Sequence, residues 1–247
     1  MKVRMRFTKT GSLKFIGHLD CMRFFQKALR RAKMDVAYSK GYSPHQLMSF
    51  ASPLGVGVTS DGEYIDVEFH TLPADKSLQQ LTAYLNQYMT DEIFVTKIEI
   101  MPEGFKNSMS LLRRADYMVV EKEKGIWPAD YRKKWLSFIK QPHIYVTKKT
   151  KKTEREMDIR GNILADAFSL FEFSGKTGED YSVLHCQYEG EAIYMQLTSG
   201  SAENIKPELV IDAFCHFCGW ELPAHMLQVH RLQMHFSKVE EKGGACM

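Results

Sequence analysis

Lys2-Val3-Arg4-Met5-Arg6-Phe7, a break at Thr10-Gly11-Ser12, and then His18-Leu19-Asp20-Cys21-Met22-Arg23-Phe24-Phe25-Gln26-Lys27-Ala28-Leu29-Arg30-Arg31-Ala32-Lys33 form the stretch that decides the fold. Val3, Met5 and Phe7 alternate with Lys2, Arg4 and Arg6, which is the period of a half-buried strand with a basic outer face. In the second run Leu19, Met22, Phe25, Leu29 and Ala32 recur at helical spacing, so a helix is expected from about His18 to Lys33. Asp20 in its first turn and Arg30, Arg31 and Lys33 in its last suit the helix dipole.

Working outward, Tyr38 to His45 is rich in turn formers and reads as a loop. Strands are expected at Leu47 to Ala51, Glu63 to Phe69 and Ile93 to Met101. A second helix carries Leu78, Leu81, Leu85 and Tyr88, with Asp75 as its cap. The order is βαββαβ, the split βαβ pattern of ferredoxin-like folds. Pro102 to Leu112 reads as a linker. Beyond it come a strand at Ala115 to Glu121, a helix opened by Pro128, and a hairpin of His143 to Thr147 with Met157 to Ile159. Further strands are expected at Leu164 to Phe173, Tyr181 to Tyr188 and Ala192 to Leu197, then a helix from Pro207 to Gly219 and a last strand at Val229 to Phe236. The fold expected is therefore α+β, with two ferredoxin-like halves carrying antiparallel sheets. The first half is residues 1–101, the second is 113–237 with extra strands, and 238–247 is a disordered tail.

The 247 residues are 44% hydrophobic and 26% charged, enough apolar material for a real core. A net charge of +3 is too small for global attraction to nucleic acid, so such a role must rest on local patches. No apolar run approaches bilayer length, and the N-terminus lacks a signal-peptide core. Five scattered cysteines fit reduced thiols, and the expected location is the cytoplasm. There is no P-loop, no GxGxxG fingerprint after a strand and no CxxxCxxC for a radical-SAM cluster, so no cofactor is expected.

The candidate surface centres on the first helix and the loop after it. Asp20, Arg23, Lys27 and Arg30 or Arg31 form a stripe able to neutralise phosphates, or else an ordinary solvated face. Tyr38 and Tyr42 offer stacking faces and Ser39 and His45 hydrogen bonds, a combination suited to single-stranded RNA. The tyrosines could equally cover a sheet edge. His18 and His45 are the candidates for acid–base work; alternatively His18 caps the helix and His45 pins the loop. Glu63 and Asp66 could join them or decorate a strand. Cys215-His216-Phe217-Cys218 with His225, His230 and His235 invites a zinc reading, but Cys215 and Cys218 share a face with Ile211 and Phe214 and the histidines diverge, so no metal is expected. Lys148 to Lys152, at a hairpin tip, could reach a phosphate backbone or keep an edge soluble.

Lys14-Phe15-Ile16-Gly17-His18-Leu19-Asp20, Arg23, Ala28-Leu29-Arg30-Arg31-Ala32 and Tyr38-Ser39-Lys40-Gly41-Tyr42-Ser43-Pro44-His45 together resemble the radical-SAM-linked family of bacterial proteins of unknown function. The similarity continues through Ser49-Phe50-Ala51, Pro53-Leu54-Gly55, Ser60 and Gly62-Glu63-Tyr64-Ile65-Asp66, and Asp158-Ile159-Arg160 resembles a later element. It covers roughly the first two hundred residues. Pro44-His45-Gln46 stands where Pro-His-Pro is usual, and Arg231-Leu232-Gln233-Met234-His235 departs from the usual ending. The resemblance implies a cobalamin-binding radical-SAM protein as partner and a setting in RNA metabolism. The architecture is also remotely similar to the repeat-associated RNA-binding proteins of CRISPR systems. Three roles follow as expectations: a non-catalytic RNA-binding adaptor for a radical-SAM enzyme, a metal-independent endoribonuclease using His18 and His45, or a pure protein-interaction module.

Overall fold

The computed structural model describes residues 1–149, 154–186, 188–201, 203–222 and 224–237. Residues 150–152 of the basic tract, residue 153 and the expected tail, 238–247, lie outside the described residues. The first strand β1 (Lys2–Lys9) leads through a short 3-10 turn into α1 (His18–Arg31), β2 (Met48–Phe50), β3 (Thr59–Glu68), α2 (Leu78–Asn86) and β4 (Val95–Ile100). There follow α3 (Ser108–Leu111), β5 (Leu112–Glu121), α4 (Tyr131–Ile139), the hairpin β6 (Tyr145–Lys149) and β7 (Glu154–Asp158), β8 (Ile163–Ala167), α5 (Leu170–Thr177), β9 (Ala192–Thr198), α6 (Pro207–Cys218) and β10 (Leu227–Phe236). The protein is α+β, with a mostly antiparallel sheet.

Eight strands form one sheet in the order β4-β1-β3-β10-β5-β9-β8, with β2 also on β3. In the N-terminal part β1 lies antiparallel to both β3 and β4, and β2 antiparallel to β3. In the C-terminal part β5 lies antiparallel to β10 and β9, and β8 antiparallel to β9. The two parts meet where β10 pairs parallel to β3 at His230↔Thr59 and Arg231↔Ser60. β2 is only three residues long and faces Ile65 to Val67 of β3, which leaves the Thr59–Ser60 end of that edge open to β10. Gly62 sits at this contact: a Cβ there would fall 2.5 Å from the Leu232 carbonyl oxygen.

The first core packs Cys21, Phe25 and Leu29 of α1 against Val3, Met5 and Phe7 of β1, with the Phe7 and Phe25 rings 4.7 Å apart. Full burial of Phe25 and Leu29 contributes about 1.5–3 kcal/mol each. Leu19 lies off this face and is exposed, because the buried stripe runs through Cys21, Phe25, Ala28 and Leu29 instead. A second core gathers Trp135 and Phe138 of α4 around Phe214 of α6. A third sets Phe173 of α5 and Tyr181 against Met118 and Val120 of β5.

Several local expectations need correction. Ser77, not Asp75, caps α2, in a reciprocal capping box with Gln80. Pro128 precedes α4 rather than opening it. Leu164 to Phe173 is not one strand: Ser169 accepts the Glu172 N–H and starts α5, which Gly178 ends in the left-handed region. Tyr181 to Tyr188 forms no strand among the described residues; the Asp180 carboxylate and Tyr181 hydroxyl turn the chain onto the sheet instead. The outer face of β1 is not solvated at Arg4. Its guanidinium lies 4.7 Å from the Phe105 ring and 4.2 Å from Phe236, beside Asp66. The segment read as a linker folds back there, and Asp66 accepts both the backbone N–H and the hydroxyl of Ser108 at 2.6 Å.

Candidate functional site

α1 separates the charged residues from the core as its period demands: Asp20, Arg23, Lys27 and Arg30 are all exposed. Asp20 and Arg23 pair at 3.2 Å, but both are solvent-screened, so the pair contributes little. Arg31 has a different task. Its Nη2 donates to the Tyr88 carbonyl at 2.6 Å and ties the end of α1 to the segment after α2.

The loop after α1 is clamped at its neck. Ser39 N–H donates to the His45 carbonyl at 2.8 Å, His45 N–H donates to Ser39 Oγ at 3.1 Å, and Ser39 Oγ lies 2.9 Å from His45 Nδ1. Gln46 Nε2 donates to the Tyr38 hydroxyl. With the neck closed, Tyr42 stands wholly in solvent at the tip, and Tyr38 is also exposed. This loop is fixed to the far end of β3 by Ala37 N–H on the Glu68 carbonyl.

His18 is at the opposite end of α1, a helix of 14 residues and therefore about 20 Å long. Its ring meets the edge of Phe50 at 5.1 Å. With Lys9, Cys21 and Glu63 it lines a cavity of about 10 Å³, no larger than one water. His45 does not line that cavity. Lys9 Nζ donates to the Ile16 carbonyl at 2.8 Å and to the Lys14 carbonyl at 3.3 Å, and burial holds its pKa below the ordinary lysine value. Burial also pushes the Cys21 thiol up to about 12, so it is no nucleophile as it stands.

Glu63 is brought to His18 but is not free. Both its oxygens accept from Arg231 Nη1, at 2.9 and 3.2 Å, and both side chains are buried. This pair belongs to a polar seam between β3 and β10 that the sequence reading missed. Ser60 Oγ donates to the Arg231 carbonyl at 2.9 Å, and Tyr64 Oη donates to Gln233 Oε1 at 2.8 Å. Lys14 Nζ donates to Gln228 Oε1, and Gln228 Nε2 donates to the Gly57 carbonyl, both at 2.9 Å. Thr59 Oγ1 lies 2.9 Å from His230 Nδ1 and 2.6 Å from the Tyr188 hydroxyl, and His230 Nε2 lies 3.4 Å from Asp61. A hydroxyl, an imidazole and a carboxylate in that order resemble a nucleophilic relay. Here Thr59, His230 and Asp61 are all buried and the hydroxyl is shared with Tyr188, so the row acts as a clasp between strands. The signal available in sequence was the polar run Thr59-Ser60-Asp61-Gly62-Glu63 entering an apolar strand.

The remaining candidates are dispersed. His235 contacts Asp116 and Glu179, away from the His230 clasp. Cys215 is buried at the end of α6. Among the described residues no group of three or more His, Cys, Asp or Glu side chains is arranged to hold a metal ion. Asp158 of the Asp-Ile-Arg element accepts N–H donors from Arg160 and Ile144 and contacts His143 Nδ1 at 2.7 Å, while Arg160 Nε donates to the Ile139 carbonyl. That element pins the β6–β7 hairpin to α4. Among the described residues no helix is long and apolar enough to cross a membrane.

Among proteins with curated descriptions, none matches the chain. A family model described as an uncharacterized protein conserved in bacteria, DUF2344, matches residues 2–207, most of the length. The matched span carries α1, its loop and β3 and stops before β10, the strand that completes the seam. By that match the chain belongs to this bacterial family.

Proposed function

We propose that the chain is a non-catalytic, cytoplasmic RNA-binding adaptor, built of two ferredoxin-like halves, that presents single-stranded RNA to a cobalamin-dependent radical-SAM enzyme. The observation that carries the RNA reading is the exposed Arg23, Lys27 and Arg30 face of α1, followed by a clamped loop that holds Tyr42 in open solvent. Cations along a helix suit a phosphate backbone, and an unshielded ring suits a stacked base. The strand order β4-β1-β3-β2, repeated as β10-β5-β9-β8, supports the two-half description. The radical-SAM partner rests on the resemblance carried by the His18 to His45 stretch. The nuclease reading has less support, because His18 and His45 stand at opposite ends of α1 and His45 pins its own loop.

Fluorescence polarization of an end-labelled single-stranded RNA tests the reading. Three phosphate contacts give a slope of log K against log salt of about −2. Arg23→Ala with Arg30→Ala should weaken binding and flatten that slope by more than half. An unchanged affinity in the double variant, or no binding by the parent, overturns the RNA role. Co-purification with a cobalamin-binding radical-SAM protein of the same bacterium tests the partner, and its absence in a reciprocal pull-down counts against it.

A further inference from the structure

β4 is the outer strand of the sheet, and among the described residues no strand pairs with its far side. Met101 N–H donates to the Lys2 carbonyl at 2.9 Å, so alternation along the antiparallel ladder turns the N–H and C=O of Ile98 and Ile100 away from β1. This edge is bounded at both ends. Before it, the Asn86 side chain stands in for a neighbouring strand at Val95: its Oδ1 accepts the N–H at 2.9 Å and its Nδ2 donates to the carbonyl at 2.8 Å. After it, Pro102 has no N–H to give. What is left to receive another strand is Thr96 to Ile100, with Ile98 at its midpoint. An edge of this kind is a template for pairing.

The charges on this edge select the partner. Ile98 packs into the core with Leu81 and Leu85 of α2, so Lys97 and Glu99 on either side of it project from the opposite face of the sheet. Their charged ends lie 2.6 Å apart, and both side chains are more than a third exposed. In an antiparallel pair with a two-fold axis at Ile98, Lys97 of each copy stands opposite Glu99 of the other. The two Ile98 residues then exchange both backbone bonds, and the charged pairs fall at the flanking sites, where side chains approach most closely. An axis at Ile100 loses this match, because Glu99 would then face Met101. The two-fold keeps both α2 helices on one face of the joined sheet. There Leu78, Thr82 and Asn86, each one turn after the last, line with Thr96 and Ile98 a cavity of about 410 Å³ beside the edge. Leu78 and Ile100 are exposed apolar side chains at this place, and pairing covers them. We propose that the protein is a homodimer joined β4 to β4 about Ile98, which makes one continuous sheet of the two copies. The assignment stands apart from the RNA reading above.

Sedimentation equilibrium of the full chain across the micromolar range is the test, and a single monomer–dimer equilibrium is expected. Lys97→Glu puts like charges opposite each other at both symmetry-related sites and should weaken the dimer by about tenfold, and Glu99→Lys should do the same. Mixing the two variants in equal amounts restores opposite charges at every site and should re-form a mixed dimer. The chain carrying both substitutions should again pair with itself. Circular dichroism checks that each variant is folded. Ala83→Arg, at an exposed position lining the same cavity, should also weaken the dimer and serves if the strand variants fold poorly. A parent that stays monomeric, growth beyond the dimer, or a dimer indifferent to these substitutions overturns the assignment. So do single variants that dissociate and stay monomeric when mixed.

Discussion

Replacing Glu63 by leucine removes the carboxylate from Arg231 without changing the guanidinium. Arg231 Nη1 loses bonds of 2.9 and 3.2 Å, and among the described residues the guanidinium keeps the Ser52 carbonyl, 3.5 Å from that nitrogen, and its contact with the Tyr117 hydroxyl. Both side chains are less than a tenth exposed, so water can replace little of what is lost. An uncompensated buried charge of this kind costs about 3–5 kcal/mol. For a chain of this size that corresponds to a fall in Tm of roughly 6–20 °C, a large part of a typical ~5–15 kcal/mol stability. Urea unfolding followed by circular dichroism should show a lower midpoint with an unchanged slope. Glu63→Leu combined with Arg231→Met replaces the pair by apolar groups and should recover most of the loss, giving a coupling energy of about 2–3 kcal/mol. A single variant that loses less than about 1 kcal/mol, or a double variant whose loss equals the sum of the singles, would refute the claim that this pair closes the seam.

Three further outcomes are expected. Gly62→Ala places a methyl 2.5 Å from the Leu232 carbonyl and 2.7 Å from Gln233 Cα, both backbone, and should destabilise by about 1–3 kcal/mol while raising proteolysis between residues 222 and 237. Asp158 is held at about 2 by the N–H of Arg160, by His143 and by the N–H of Ile144, against roughly 3.9 in an unfolded chain. Its contribution is therefore present above about pH 4 and lost as pH falls towards 2, and Asp158→Asn should flatten the unfolding midpoint across that window. Tyr42→Ala should leave stability within about 0.5 kcal/mol while weakening single-stranded RNA binding by about 1–3 kcal/mol, measured by thermal melting and polarization together.

The parts of the fold that could be read in sequence are those whose partners are close along the chain. Val3, Met5 and Phe7 announce β1 by alternation, and Phe25, Ala28 and Leu29 announce α1 by helical spacing. Pro207 and Gly219 bracket α6 as their backbone preferences require. The candidate surface was legible for the same reason: Arg23, Lys27 and Arg30 share an outward face that follows from the period of the helix. What escaped was the seam. Asp61, Glu63, His230 and Arg231 look like solvated strand residues until their partners, about 170 positions away, are known. Local patterning carries no sign of a charge buried against another at that separation. α5 escaped for a smaller reason, since the apolar run from Ile163 to Phe173 hides the break that Ser169 makes.

The brevity of β2 has a consequence for the order in which the chain acquires its shape. Because β2 reaches only Ile65, the Thr59–Ser60 end of β3 has no neighbour on that side until residues 227–236 have been made. A ribosome-bound N-terminal half therefore carries an open strand edge until β10 has been made, a state prone to wrong pairing. Thr59, Ser60 and Asp61 line that edge with hydroxyls and a carboxylate, which keep it hydrated while it waits. The same groups become buried partners of His230 and Arg231 when β10 arrives. Closure across so long a separation is slow, so the arrival of β10 sets the time at which the two parts of the sheet become one body.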